Sequence, residues 1–284
     1  MEVKIYTITH KIFKKPDEDI YVPIVAGAFE YDKNAFPKDY IRDDTGDNIS
    51  DKHDLYSEYT ALYWIYKNSN ADLVGINHYR RYFINANWIR YLKCLCNFNR
   101  YFDKYLLKEK DILDFFDQGY NCILPKKYSR TNNNLYEQYK ELYNVELLHR
   151  VGELLQNHYP EMHTVYLDLL GSYDFYGKCI IILKKEDFDE YCAWWTNIIN
   201  SIENSGYEAK EREYAYLMER IMNVWVEYKK RRGELRAKEC FWVNTEYPIW
   251  KITSRISEFI LPKWLAVFIR KVRNINKKRE EVRS

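Results

Sequence analysis

The chain has 284 residues and a formal net charge of only +2, from 44 Lys and Arg against 42 Asp and Glu. This length predicts one large domain or two small ones. Hydrophobic residues at 46% exclude an intrinsically disordered chain, and nine Gly and seven Pro exclude collagen-like and low-complexity classes. Tyr occurs 28 times, which fits either an AT-rich gene or a surface of flat, hydroxyl-bearing rings that contacts sugars or partners.

The first third of the chain predicts strands, a long loop and a helix. Residues 3–8 alternate apolar and polar side chains as a strand does, and residues 21–29 form a second short apolar stretch. Residues 31–54 are rich in Asp and Asn and predict a long loop. Residues 72–77 read as a buried strand. Between the loop and this strand, an amphipathic helix is predicted by the spacing of Leu55, Tyr59, Leu62 and Tyr66.

The rest of the chain alternates predicted helices with predicted strands. The predicted helices span residues 88–118, part of 129–160, a Trp-rich segment that opens at 184–187, and about 211–230. The predicted strands span residues 121–125 and 175–183. Strands alternating with helices imply an α/β sheet with helices on its faces.

The ends of the chain and its cysteines bear on the cellular compartment. Residues 1–6 lack the apolar region of a secretory signal peptide, and no apolar run approaches the roughly 18–20 residues of a membrane span. The six Cys are scattered, and the close pair Cys94 and Cys96 has no matching second pair, which argues against a zinc site. We therefore expect reduced thiols in a cytoplasmic protein.

The motifs of several common enzyme classes are absent. The chain has no G-x-G-x-x-G, no G-x-x-x-x-G-K-[ST], no H-E-x-x-H and no G-x-S-x-G. Their absence argues against standard dinucleotide enzymes, P-loop NTPases, zincins and α/β-hydrolases. His158 and His163 flank Glu161, but Pro160 disturbs a helical ligand pair, so we expect a loop there rather than a metal site.

The strand at residues 72–77 ends at His78-Tyr79-Arg80-Arg81. Ligands of open α/β sheets lie outside the carboxyl ends of the strands. The arginine fork suits the oxygens of a diphosphate. The alternative is a pair of surface arginines that bridge to acidic side chains.

Two further segments contain candidate polar groups. The loop Asp43–Ser50 offers carboxylates and an amide, either for sugar hydroxyls or a metal, or as an N-cap and Asx-rich turn. In the predicted helix at 211–230, Arg212 and Glu219 are seven residues apart and are expected within roughly 20° of each other around the helix. This pair is either structural or places Glu219 in a cleft as a base.

These segments, in this order and spacing, resemble the DUF4422 family, bacterial proteins of capsular and exopolysaccharide gene clusters that are regarded as glycosyltransferases. The resemblance covers roughly residues 1–230. It rests on a D-N-I-S box at 47–50, an S-E-x-T-x-x-Y-W helix at 57–64, G-x-x-H-Y-R-R-Y-F at 75–83 and the pair Glu219-Arg220. One departure is Lys178-Cys179, where the family tends to have Asn-Met.

The resemblance implies a nucleotide-sugar-dependent glycosyltransferase with a single GT-A-like, Rossmann-related α/β domain over residues 1–230 and a helical carboxyl-terminal extension over 231–284. It implies Glu219 and His78 as catalytic residues. The residues implied to bind the donor are Thr9, His10, Asp44, Asp47, Asn48, Arg80, Arg81 and Arg212.

The resemblance leaves two ways of stabilising the leaving diphosphate. Arg80 and Arg81 neutralise it without a metal, which we favour slightly, or Asp43, Asp44 and Asp47 gather Mn²⁺ or Mg²⁺ from the loop. Residues 187–189 spell Asp-x-Asp, but they open a predicted helix, so we interpret them as helix capping.

The net charge conceals an asymmetry along the chain. Residues 228–284 carry 16 Lys and Arg against 6 Asp and Glu, so the remainder is acidic. Within residues 255–284 the two faces of a helix differ: Trp264, Leu265, Phe268, Val272 and Ile275 lie opposite Lys263, Arg270, Arg273 and Lys277. This pattern predicts an interfacial helix on an anionic membrane, or else a terminal helix docked on the body. With an acidic body and no nucleic-acid motif, we expect no nucleic-acid partner.

The predicted function is transfer of a hexose, with galactose or galactofuranose preferred, from a UDP-sugar to a lipid-linked saccharide in capsular or exopolysaccharide synthesis. The enzyme is expected on the inner face of the cell membrane. One alternative is a non-catalytic carbohydrate-binding or polysaccharide-assembly scaffold protein. Another is a phosphotransferase that acts on sugar phosphates.

Overall fold

The computed structural model describes residues 1–85, 87, 91, 94, 102–129 and 133–246. Its strands are β1 (Val3–Thr9), β2 (Tyr21–Val25), β3 (Ile41–Arg42), β4 (Leu73–His78), β5 (Arg81–Ile84), β6 (Cys122–Pro125), β7 (Tyr128–Ser129), β8 (Asp174–Phe175), β9 (Ile181–Lys184) and β10 (Ala237–Asn244). Its α-helices are α1 (His53–Tyr56), α2 (Tyr59–Asn68), α3 (Phe102–Tyr105), α4 (Glu109–Asp117), α5 (Leu135–Leu142), α6 (Glu146–His158), α7 (Pro160–Leu170), α8 (Lys185–Asn204) and α9 (Glu213–Arg231). Short 3₁₀ helices span Ala28–Glu30 and Ser50–Lys52.

Eight of these strands form one mixed sheet in the order β3-β2-β1-β4-β5-β10-β6-β9, and β9 also pairs with β4. β1 is parallel to both of its neighbours, β2 and β4. The chain moves outward from β1 to β2 and β3 on one side and resumes with β4 on the other side. The carboxyl ends of β1 and β4 therefore flank a topological switch point, where open α/β sheets hold their ligands.

The sheet is buried on both faces. In β1, Tyr6 and Ile8 pack into the larger core, which α2 and the helices α6 to α9 cover, and Ile5 packs into the smaller core, which includes Ile112 of α4. In β4, a Cβ atom at Gly75 would lie 2.8 Å from Cγ1 of Ile5. Glycine is therefore needed for β1 and β4 to pack at this distance.

The mixed α/β class predicted from the sequence is confirmed. The strand predicted at 72–77 is β4, and the helix predicted at about 211–230 is α9, which buries Tyr214, Leu217, Met218, Ile221 and Trp225. α8 begins at Lys185, as its sequence predicts. Since an apolar stripe has to face a core, these elements follow directly from local periodicity.

Several of the predicted elements are wrong in extent. The helix predicted at 88–118 is interrupted between α3 and α4, and the loop expected around Pro160 is the junction at which α6 ends and α7 begins. The strand predicted at 175–183 consists of two short strands, β8 and β9, with an irregular stretch between them. The single helix predicted from Leu55 is interrupted at Ser57, whose φ is 49°. This φ is outside the range of an α-helix, so the segment forms two helices, α1 and α2.

The domain boundary that we placed at residue 230 needs correction. β10 pairs with β5 and with β6 inside the sheet, so the α/β body extends at least to Asn244. The amphipathic helix predicted within 255–284 lies outside the described residues. In the part of the chain that the structure describes, no helix has the length and apolar character to cross a membrane.

Candidate functional site

A crevice of about 500 Å³ opens at the carboxyl ends of β1 and β4. Of the predicted site residues, seven line it: Thr9, His10, His78, Arg80, Arg81, Arg212 and Glu219. The topological switch point and the residues selected from sequence therefore coincide. Charged side chains dominate the lining, with five cations, Arg80, Arg81, Lys178, Arg212 and Arg220, against two carboxylates, Glu58 and Glu219.

The first wall of the crevice is a tight hairpin. β4 ends at His78, which pairs across the turn with Arg81, the first residue of β5. Nη1 of Arg80 lies 3.3 Å from Glu246, and its guanidinium lies over the ring of Tyr79. The Nε atoms of Arg80 and Arg81 are both buried and have no hydrogen-bond partner within the described residues. Because Arg80 is already paired with Glu246, Arg81 is the better placed of the two to meet an anion entering the crevice.

The histidines of this wall have depressed pKa values. Burial, and then the charges of Arg81 and Arg80, lower the pKa of His78 to about 2. Burial also lowers the pKa of His10, with Lys11, Arg80 and Arg212 acting in the same direction. Both effects favour the uncharged imidazole at neutral pH in the ligand-free chain, a form that can donate and accept hydrogen bonds.

The end of β1 contributes Thr9 and His10. Oγ1 of Thr9 donates to the carbonyl of Lys11 and accepts from its amide, so this hydroxyl shapes the turn after β1. The ring of His10 contacts those of Tyr79 and His78 edge to face. Thr9 thus positions His10 at the crevice.

The opposite wall is the amino-terminal half of α9. Arg212 lies before the helix rather than on it, with φ at 59° and its amide donating to Asp54 at 2.6 Å. The helical angle that we predicted between Arg212 and Glu219 is therefore wrong, although both residues reach the crevice. Arg220 Nη1 donates to Glu219 at 2.8 Å, and its guanidinium also lies over the ring of Tyr143.

Sequence reasoning missed several lining residues: His53, Glu58, Tyr143, Lys178, Tyr216 and Arg220. Some carried a signal. Glu58 belongs to the S-E-x-T-x-x-Y-W segment, and Arg220 to the Glu-Arg pair. Lys178 is the departure from the family pattern. Tyr143 and Tyr216 stack on each other with centroids 4.3 Å apart, a contact between distant segments that no local pattern predicts.

The acidic loop does not line the crevice. Asp43 is fully buried and its carboxylate accepts four hydrogen bonds, from the amides of Gly27 and Ala28 and the hydroxyls of Ser50 and Thr60. This carboxylate is therefore a structural centre of the loop.

The neighbours of Asp43 also have local roles. Asp44 pairs with Arg42 at 2.8 Å. Asp47 is exposed and accepts from Tyr63, and Asn48 bonds to the backbone of the same loop. The structure brings none of the four loop residues Asp43, Asp44, Asp47 and Asn48 together with the seven residues at the crevice.

Carboxylates do not converge as a metal site in the described part of the chain: no group of three or more His, Cys, Asp and Glu is placed to hold an ion there. Asp187 lies in the first turn of α8, and Asp189 follows it in the helix and accepts from Lys185 at 2.6 Å. The donors at the crevice are mainly cations, which do not fit a divalent metal.

Comparisons with known proteins identify the family of the chain and a structure that it resembles. A family model described as a domain of unknown function, DUF4422, matches residues 4–231. Among solved structures, the chain is similar to the apo structure of the WbbM bifunctional glycosyltransferase, with a TM-score of 0.73 and 26% identity. That match covers 87% of this chain and 46% of the other, so the chain spans about half the length of that protein. A search of curated proteins found no match.

Proposed function

The chain belongs to the DUF4422 family, as its motifs predicted, and we propose that it is a nucleotide-sugar-dependent glycosyltransferase with a GT-A-like, Rossmann-related fold. The observation that carries this proposal is the cationic crevice at the switch point of the sheet. The likeness to a bifunctional glycosyltransferase supports it.

The crevice suits the diphosphate of a UDP-sugar donor. Arg81, Arg80 and Arg212 supply the cations, and Thr9 and His10 lie where the nucleoside is expected. When the glycosidic bond to the diphosphate breaks, negative charge grows on the leaving oxygen. Guanidinium groups already in place stabilise that charge without reorganisation. The donor set does not fit a metal ion, so we derive no step through one.

Glu219 is the proposed base. It is about one-fifth exposed and lines the crevice, and the ion pair with Arg220 orients its carboxylate. In an inverting reaction this carboxylate takes the proton of the acceptor hydroxyl as the oxygen attacks the anomeric carbon. The neutral His78 is proposed to bond to donor or acceptor oxygens.

The sugar, the acceptor and the membrane contact are proposed from the family resemblance and from the sequence pattern. The transferred sugar is a hexose, with galactose or galactofuranose preferred. The acceptor is a lipid-linked saccharide in bacterial capsular or exopolysaccharide synthesis. Residues 255–284 are proposed to bind the inner face of the cell membrane, which brings this cytoplasmic enzyme to its acceptor.

The first test is nucleoside diphosphate release from a panel of nucleotide sugars, with lipid-linked saccharides added and with either Mn²⁺ or EDTA. Release with one sugar that survives EDTA is expected from the arginine mechanism. Release that requires Mn²⁺ contradicts the metal-free step. Sugar binding without release favours the carbohydrate-binding scaffold instead.

Arginine variants test the crevice itself. Arg80→Ala and Arg81→Ala are each expected to lower kcat/KM by roughly 10- to 100-fold, since a hydrogen bond to a charged group contributes about 1.5–3 kcal/mol. Arg231→Ala is the control, because Arg231 pairs with Asp168 on the surface and should stay within about twofold. Near-normal turnover of the Arg80 or Arg81 variant removes that residue from the diphosphate role.

A further inference from the structure

A second cavity of about 510 Å³ lies where the junction of α6 and α7 meets α8 and α9. It shares no lining residue with the crevice. We propose that this cavity binds an uncharged saccharide at a site separate from the reaction. Its size falls within the roughly 300–1,000 Å³ of small-molecule pockets.

Aromatic rings dominate the lining of this cavity. Trp194 and Trp225 are 6% and 1% exposed, and the half-buried Tyr159 and Tyr228 complete the set. Such side chains combine a flat apolar face with a polar edge. The two tryptophans are almost fully buried and form the floor, so the accessible rings are those of Tyr159 and Tyr228. A pyranose matches them, since its C–H groups stack on rings while its hydroxyls reach polar groups.

The polar side chains that line the cavity can form hydrogen bonds with an oxygen-rich ligand. Asn197 and His158 are accessible polar side chains of the lining, and both are exposed. They add an amide and an imidazole to the lining. Sugar hydroxyls can both donate to and accept from such groups.

Charge separates this cavity from the crevice. Its two carboxylates are already paired, Glu190 with Lys229 at 2.8 Å and Glu161 with Arg232 at 3.3 Å. Tyr228 also donates to Glu161. No unpaired cation is available among its lining residues for a phosphate, and the neutralised carboxylates offer little to an amine. An uncharged polyol is therefore the ligand class that fits.

The test is saturation-transfer NMR on the full chain with excess UDP present to occupy the crevice. The probes are the methyl glycosides of galactose, N-acetylglucosamine and rhamnose. At least one is expected to receive saturation from the protein. Asn197→Leu and Tyr159→Ala should weaken its binding at least about fivefold. Asn200→Leu should leave it unchanged, because Asn200 is exposed on the same helix but does not line the cavity.

Several results would overturn the inference. They are no transfer to any of the three probes, transfer abolished by UDP, transfer unaffected by both variants, and displacement of the sugar by tetramethylammonium, which indicates a cation cage. The measurement needs no turnover. A chain that binds sugar here but releases no nucleoside diphosphate therefore supports this inference while contradicting the proposed function.

Discussion

At the scale of single residues, the crevice is defined by its excess of positive charge. Five cations face two carboxylates, and Arg81 keeps a buried guanidinium nitrogen without a partner in the described part of the chain. The depressed pKa of His78 has the same origin, since burial and the two arginines oppose a further positive charge. These cationic groups already lie at the crevice before a ligand binds. A bound anion would therefore reduce the electrostatic repulsion between the two arginines and a protonated His78.

The pKa of His78 predicts a pH dependence of stability. Its folded pKa, about 2, is below the ordinary value of 6.5, so between these values the unfolded chain binds the extra proton. The free energy of unfolding should therefore fall as pH decreases below 6.5, with His78 contributing at most about 1.4 kcal/mol per pH unit.

Urea denaturation between pH 5 and pH 7 checks this dependence. Compared with His78→Asn, the wild type should lose more stability over that interval, because the variant has no imidazole to protonate. Wild type and variant curves that run parallel with pH would show that His78 is protonated equally in both states.

At the scale of elements, the site is built where regular structure is interrupted. Ser57 separates α1 from α2, and Arg212 precedes α9, both with positive φ, and both line the crevice. For residues other than glycine, such conformations cost on the order of 1–3 kcal/mol. The acidic loop stabilises this region, because the carboxylate of Asp43 accepts hydrogen bonds from the amides of residues 27–28 and from the hydroxyls of Ser50 and Thr60.

Asp43→Ala is expected to destabilise the chain by at least about 3 kcal/mol. Four donors lose their acceptor, and an unsatisfied buried donor costs about 1–3 kcal/mol. Asp47→Ala is the control, because Asp47 is exposed and should change stability by about 0.5 kcal/mol or less. Chemical denaturation measures both. If both variants changed the free energy of unfolding by the same small amount, Asp43 would have no structural role, and a role in ligand binding would again have to be considered.

At the scale of the whole molecule, charge divides the chain into an acidic part, residues 1–227, and a basic end, residues 228–284. The sheet includes β10 and so extends to Asn244, ahead of the segment 255–284. Within the body, the crevice at the sheet edge is cationic, whereas the cavity among the helices is lined by aromatic rings. The abundance of Tyr is partly explained at this scale, since tyrosines line both cavities.

Removing residues 255–284 should abolish binding to vesicles that contain phosphatidylglycerol. The Trp, Phe and Lys/Arg pattern of that segment suits an anionic interface. Because every strand of the sheet in the described part of the chain precedes residue 245, the shortened chain should retain its fold and its affinity for UDP. Vesicle sedimentation measures binding, with phosphatidylcholine vesicles as the control. Unchanged binding would place the membrane contact elsewhere.

Local sequence patterns are sufficient to predict much of the architecture and seven of the nineteen residues that line the crevice. Periodicity located β4, α8 and α9, because a buried stripe repeats within one element. The motif at residues 75–83 located His78, Arg80 and Arg81, because neighbours in sequence leave a strand end together.

The fold determines which other side chains lie beside those three residues. Arg220, Tyr143 and Lys178 come from separate segments, and their approach depends on packing across the sheet and helices. The fold also places Asp43 outside the site. The four groups that donate to its carboxylate come from separate segments, so no local pattern predicts this hydrogen bonding. Contacts between distant segments follow no periodic pattern in the sequence, whereas the apolar residues on one face of a helix do.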